Sequence, residues 1–145
     1  MDQSSLLLAA KKLIIKHEDL KTHLYKDSLG FLTIAVGYNI QVRGLPTDIC
    51  MELFDRVVVQ ENLHDLNQCL WFQTLSEARA AVIVDMTYNI GFKKLLEFHE
   101  MIQAIKDKDY DKAADAMLSS LWASQVKGRA IEDAEIMRSG VMPNA

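Results

Sequence analysis

Cysteine is scarce: Cys50 and Cys69 are the only two in 145 residues, and both fall in segments with a helical pattern. Two thiols without a secretion signal read as reduced and buried rather than as a disulfide framework. An excess of basic charge is missing as well. The net charge is −4, so no basic face stands ready to neutralise phosphates, and nucleic acid is not an expected partner. The acid is unevenly placed, with 8 acidic and 4 basic residues in 51–100 and near balance on either side. No apolar run is long enough to cross a bilayer, and the opening MDQSSLLLAAKKLII begins with an acid and interrupts its apolar residues with lysines. It reads neither as a signal peptide nor as a membrane span.

Metal and nucleotide signatures are lacking too. His17-Glu18 is followed by His23, but the two histidines stand six apart. A zinc protease needs H-E-x-x-H, with both ligands on one helix face, so no metal is expected. No G-x-S-x-G, Walker loop or dinucleotide fingerprint occurs, and no cofactor is expected.

What is present is a chain of one-domain length, half of it apolar, long enough to bury a core without staples. Leu6, Leu7, Ala10, Leu13, Ile14 and His17 recur at helical spacing over 5–17, with Ser4 or Ser5 as a possible cap. The pattern then alternates over 24–40, where Asp27-Ser28-Leu29-Gly30 fits a type I turn and predicts a hairpin. Past Arg43-Gly44-Leu45-Pro46, Thr47 can start a long helix whose apolar stripe reaches Leu66. Ser76 and Gly91 bracket an almost wholly apolar helix, expected at the centre of a bundle. Helices over 92–106, 109–119 and 128–138 follow, the last stopped by Gly140. The class is α+β.

The chemistry concentrates in residues 17–40, HEDLKTHLYKDSLGFLTIAVGYNI. Glu18 lies one turn after Ile14 and shares its apolar face. Partial desolvation there would favour the neutral carboxyl that a general acid needs; the plain alternative is a solvated surface acid. Over 32–38, Leu32, Ile34, Val36 and Tyr38 are expected on one inward face, leaving Thr33, Ala35 and Gly37 as a face stripped of bulk. Asp27 can serve that face, or can simply bond its own turn backbone.

The spacing E-x8-D-x5-T formed by Glu18, Asp27 and Thr33, with Tyr25, Gly30, Ile34 and Gly37, closely resembles the catalytic region of the phage-type lysozymes, the muramidases of glycoside hydrolase family twenty-four. A second block agrees in residue type and spacing: Asn89-Ile90-Gly91, Phe98, Tyr110-Asp111-Lys112-Ala113-Ala114, Trp122, Arg129-Ala130 and Arg138-Ser139-Gly140. The middle, about 40–75, matches poorly and looks shortened. The resemblance implies a single lysozyme domain over 1–145, with an N-terminal helix at about 5–19, a small α/β hairpin lobe at about 20–58 and a helical lobe at about 59–145. An active-site cleft would lie between the lobes.

The implied activity is cleavage of the β-1,4 bond between N-acetylmuramic acid and N-acetylglucosamine in peptidoglycan. Glu18 would protonate the leaving oxygen, while Asp27 and Thr33 hold and activate a water on the opposite sugar face, the inverting arrangement. Gly37 would support the site, Arg129 would pair with the catalytic glutamate, and Tyr88 and Asn89 would line the sugar cleft. Core packing and capping are equally open roles for those last two. Two departures stand out, Ala35 in place of a family glycine and Tyr38 in place of a family histidine. Alternatives are a non-catalytic peptidoglycan-binding relative and a lytic transglycosylase. The resemblance further implies an endolysin acting as a monomer on glycan strands. It would be held in the host cytoplasm without membrane insertion until a holin opens the way to the wall.

Overall fold

The structure, a computed structural model, describes residues 2–144. The chain divides into two compact units, Met1–Met51 and Glu52–Ala145, and its fold is α+β: one small antiparallel sheet on the N-terminal side and helices elsewhere.

The N-terminal unit opens with α1 (Gln3–Glu18). Asp2 caps it rather than Ser4 or Ser5: its carboxylate accepts from the Ser4 N–H at 3.0 Å and from the Ser5 hydroxyl at 3.2 Å, satisfying donors that the first turn leaves orphaned. Asp19 ends the helix with φ 67°, and its N–H donates to Ile15 O. Strands β1 (Lys21–Lys26) and β2 (Leu32–Ala35) then pair antiparallel, Tyr25 opposite Thr33 and Lys26 opposite Leu32. The turn between them is the expected one, closed by Gly30 N–H on Asp27 O at 3.0 Å.

The strand does not continue through 38, as its alternation suggested. The chain reverses over Ala35–Gly37, with φ 61° at Ala35 and 59° at Gly37, and Ile34 and Tyr38 exchange both backbone hydrogen bonds at 2.9 Å. The expected faces therefore fail. Thr33 is buried, at 2 %, while Leu32 is 37 % exposed. Left-handed backbone at Ala35, the last residue of β2, and at Gly37 ends the pleat that a period of two requires. A short helix α2 (Ile40–Arg43), capped by Asn39, follows. Gln41 ties it to β2 by accepting from Leu32 N–H at 2.9 Å, and the Tyr38 hydroxyl donates to Gly44 O at 2.6 Å. Tyr38 thus holds the end of α2 with a neutral hydrogen bond, its ring under the Arg43 guanidinium.

Helix α3 (Thr47–Asp55) runs on into a π-helical stretch, Arg56–Leu63, and a last turn, α4 (His64–Leu66). Cys50 is exposed and Cys69 half-buried, both free; burial of Cys50 was not correct, since α3 buries none of its residues. After α5 (Leu70–Gln73) comes α6 (Glu77–Ile90), with the expected Ser76 cap and Gly91 stop. The stretch over 92–106 is two helices, α7 (Phe92–Leu95) and α8 (His99–Lys106), because Phe98 leaves helical backbone and sets its ring edge-on to Trp122. Then come α9 (Tyr110–Leu118), α10 (Leu121–Val126) and α11 (Gly128–Ser139). The core of this unit is formed by residues such as Leu66, Ile83, Met86, Leu95, Met101 and Met137.

Arg79 of α6 seals the end of α11. Its guanidinium donates to Met137 O at 2.7 Å and Arg138 O at 3.1 Å, and lies over the Tyr110 ring. No helix among the described residues is long and apolar enough to cross a membrane.

Ala35 is a non-glycine residue in left-handed backbone, which costs about 1–2 kcal/mol. Against this, glycine loses about 0.4–1 kcal/mol more chain entropy on folding. Ala35→Gly is therefore expected to raise stability by about 0.5 kcal/mol, measured by denaturant unfolding.

Candidate active site

Glu18 is the last residue of α1, and its carboxyl lies across the backbone of Gly37. A methyl built on Gly37 would stand 2.8 Å from Glu18 Cδ and 3.1 Å from Cγ, so any side chain there would push the acid aside. The positive φ at Gly37 independently favours glycine. The shelter expected for Glu18 is not seen; the residue is exposed. Among the described residues of the N-terminal unit, Thr33 alone is buried.

Asp27 and Thr33 meet on a single peptide, that of Phe31. The Phe31 N–H donates to Asp27 Oδ1 at 2.9 Å, and Leu29 N–H donates to the same oxygen at 2.9 Å. The Phe31 carbonyl in turn accepts from Asp27 N–H at 2.9 Å and from the Thr33 hydroxyl at 2.9 Å. The turn-forming role anticipated for Asp27 is therefore real, but it uses only Oδ1. The other carboxylate oxygen keeps its lone pairs. The Thr33 hydroxyl has given its proton to Phe31, so what it offers a further partner is acceptor capacity.

The remaining anticipated residues lie in the C-terminal unit. Tyr88 is 45 % exposed and packs edge-on against Phe54, with ring centroids 5.3 Å apart. Asn89 accepts from the Trp122 indole N–H at 2.8 Å, a role its helix-end position did not reveal. A cavity of about 710 Å³ adjoins this pair, with Ile90, Phe98 and Met101 as apolar lining and Lys94, Glu97 and Ser119 as polar lining.

Arg129 forks onto Asp85, at 2.7 Å and 2.9 Å to the two carboxylate oxygens and 3.2 Å to Asp85 O. Within its own unit, the carboxylate that it holds is Asp85. Burial alone would raise the Asp85 carboxyl, but hydrogen bonds from Arg129 and Asp133 outweigh it and hold Asp85 below the usual carboxylate range. The hydrogen bond to Asp85 raises Arg129 further above its ordinary value. Asp85 and Asp133 were not anticipated. Asp85 is visible in the sequence only as an acid inside an apolar helix, and nothing in the spacing distinguishes Asp133.

A family model described as phage lysozyme matches residues 15–138, and the chain belongs to that family. The chain is also similar to the pre-baseplate central spike protein Gp5 of Enterobacteria phage T4, 25 % identical over 162 aligned positions that cover 92 % of this chain. It spans 28 % of the length of that relative.

The Glu18–Gly37 contact can be checked directly. Gly37→Ala is expected to lower stability by about 1–2 kcal/mol from backbone alone, with a further loss from the collision. Adding Glu18→Ala should return the steric part, as chemical unfolding of the single and double variants would show.

Proposed function

We propose that this chain is a muramidase that hydrolyses the β-1,4 bond between N-acetylmuramic acid and N-acetylglucosamine with inversion at the anomeric carbon. The observation that carries the reading is the common anchoring of Asp27 and Thr33 on the Phe31 peptide. A water between them would donate one proton toward Asp27 and the other toward the Thr33 oxygen, which aims a lone pair at the sugar carbon. Asp27 then takes the proton as the new C–O bond forms. Glu18 delivers its proton to the departing glycosidic oxygen, so that the sugar leaves as a neutral hydroxyl. The glycine under Glu18 fixes where that proton is offered. Retention of all three groups favours hydrolysis over a binding-only role, and the paired water-holders favour it over a lytic transglycosylase, which needs only the acid.

Gly37, Tyr88, Asn89 and Arg129 act in support: Gly37 beneath the acid, Tyr88 and Asn89 toward the sugars, and Arg129 through its fork on Asp85. The mixed apolar and charged lining of the cavity beside Trp122 suits a fragment that joins amino sugars to a stem peptide. No cofactor takes part.

Delivery has two readings. In the first the chain is an endolysin, a monomer that waits in the host cytoplasm and reaches the wall through a holin. Likeness to a protein named as a central spike supports a second, in which the enzyme travels in the infecting particle. An antibody to the chain would find it free in lysates in the first case and in purified particles in the second.

Glu18→Gln is expected to lower turnover on purified cell walls by at least about 10²-fold, on the scale of general acid catalysis, with the circular dichroism spectrum unchanged. An undiminished rate in the folded variant would remove Glu18 from the mechanism.

A further inference from the structure

A second cavity of the C-terminal unit, about 380 Å³, has Ala81 and Val82 of α6 and Ile136 of α11 on its apolar side and Asp85, Arg129 and Asp133 on its polar side. The Asp133 and Asp85 carboxyls line this cavity together. Two carboxylates cannot hydrogen-bond each other; to do so, one must keep its proton and donate it. Burial decides which. Asp133 is only 6 % exposed, and its Oδ2 is buried with no partner. The Asp85 side chain is 39 % exposed and already forked by Arg129. A negative charge on Asp133 would leave an unsolvated oxygen, whereas one on Asp85 is met by a guanidinium.

We propose that Asp133, Asp85 and Arg129 form a proton-gated latch between α11 and α6: the neutral Asp133 acid donates to the Asp85 carboxylate, which holds Arg129, and loss of that one proton breaks the Asp133–Asp85 part of the link. The latch stands on these three side chains alone and holds whichever role Arg129 plays toward substrate.

The other charges around Asp133 do not relieve it. On its own helix Glu132 adds a like charge. Glu135 on the same helix is a further acid. On α9, Asp111 and Asp115 are engaged by Arg138 at 3.3 Å and 2.8 Å. Lys112 is that helix's remaining charge, and α10, LWASQV, has no ionisable side chain. Arg79 of α6 is spent on the carbonyls that end α11. Burial first, then the hydrogen bond and charge of Asp85, push the Asp133 carboxyl up to about 8.

The sign follows from proton counting. Between about pH 4 and about pH 8 the folded chain keeps a proton on Asp133 that the unfolded chain has lost. Stability therefore falls as pH rises through that window and levels off above it. Asp85, held low, acts in the opposite sense and only at the acid end, so the two windows separate.

Asp133→Asn tests the latch, because a carboxamide still donates to Asp85 and cannot ionise. The melting temperature of the unsubstituted chain is expected to fall from about pH 5 to about pH 8 relative to the variant, which should lead by about 5 °C or more at the upper pH. A gap that does not change with pH would overturn the proposal. If the variant does not fold, infrared spectroscopy of the unsubstituted protein decides. A protonated-carboxyl band present at about pH 6.5 and gone at about pH 9.5 is expected; a spectrum without it contradicts the latch.

Discussion

The peptide of Phe31 is the constraint on which the N-terminal unit turns. It gives its N–H to Asp27 and its carbonyl to both the Asp27 backbone and the Thr33 hydroxyl. A two-stranded hairpin is marginal by itself, and this one has a single buried side chain among its described residues. Its shape is therefore set by polar clamps rather than by a core. Gln41 on Leu32 and Tyr38 on Gly44 repeat the device at the far end. Such clamps fix rotamers by geometry, which is what a site needs when its groups must share one water.

The C-terminal unit is built on the opposite principle. Its helices bury a continuous apolar cluster rich in methionine, alanine and aromatic residues, and its few internal polar groups come in matched sets. Thr87 returns its hydroxyl to Ile83 O at 2.7 Å, and Arg79 satisfies the last carbonyls of α11. Asn62 and Asp133 are the exceptions, since Asn62 Nδ2 and Asp133 Oδ2 have no partner. A buried polar group without a partner carries a desolvation cost that a charge there would increase.

The legible parts of the sequence were those with a local cause. The hairpin turn at Asp27–Gly30, the Ser76 cap and the Gly91 and Gly140 stops depend on nearest neighbours, and all appear where the residues place them. The face of residues 32–38 was misread because Ala35 gives no warning of a left-handed backbone; alternation alone assumes a continuing pleat. The break at Phe98 was missed because a contact with Trp122, far along the chain, sets it. Helix α10 was overlooked although Ser120 was there to cap it, accepting from Ala123 N–H at 3.2 Å. At the site, residue types and spacing drew attention to Glu18, Asp27 and Thr33. The Phe31 peptide that joins two of them has no side-chain signature and could only emerge from coordinates. The Asp85 pairing of Arg129 was hidden for a related reason, since an acid 44 positions away leaves no pattern.

The most direct test of joint action by Asp27 and Thr33 is a double-mutant cycle on the rate of cell-wall hydrolysis, built from Asp27→Asn and Thr33→Val. Both changes keep side-chain volume, and the first preserves the oxygen that holds the turn. If the two groups serve one water, the double variant should be about as slow as the worse single variant, because the second loss removes nothing that still works. Losses that multiply would mean that they act on separate steps, and would contradict the account.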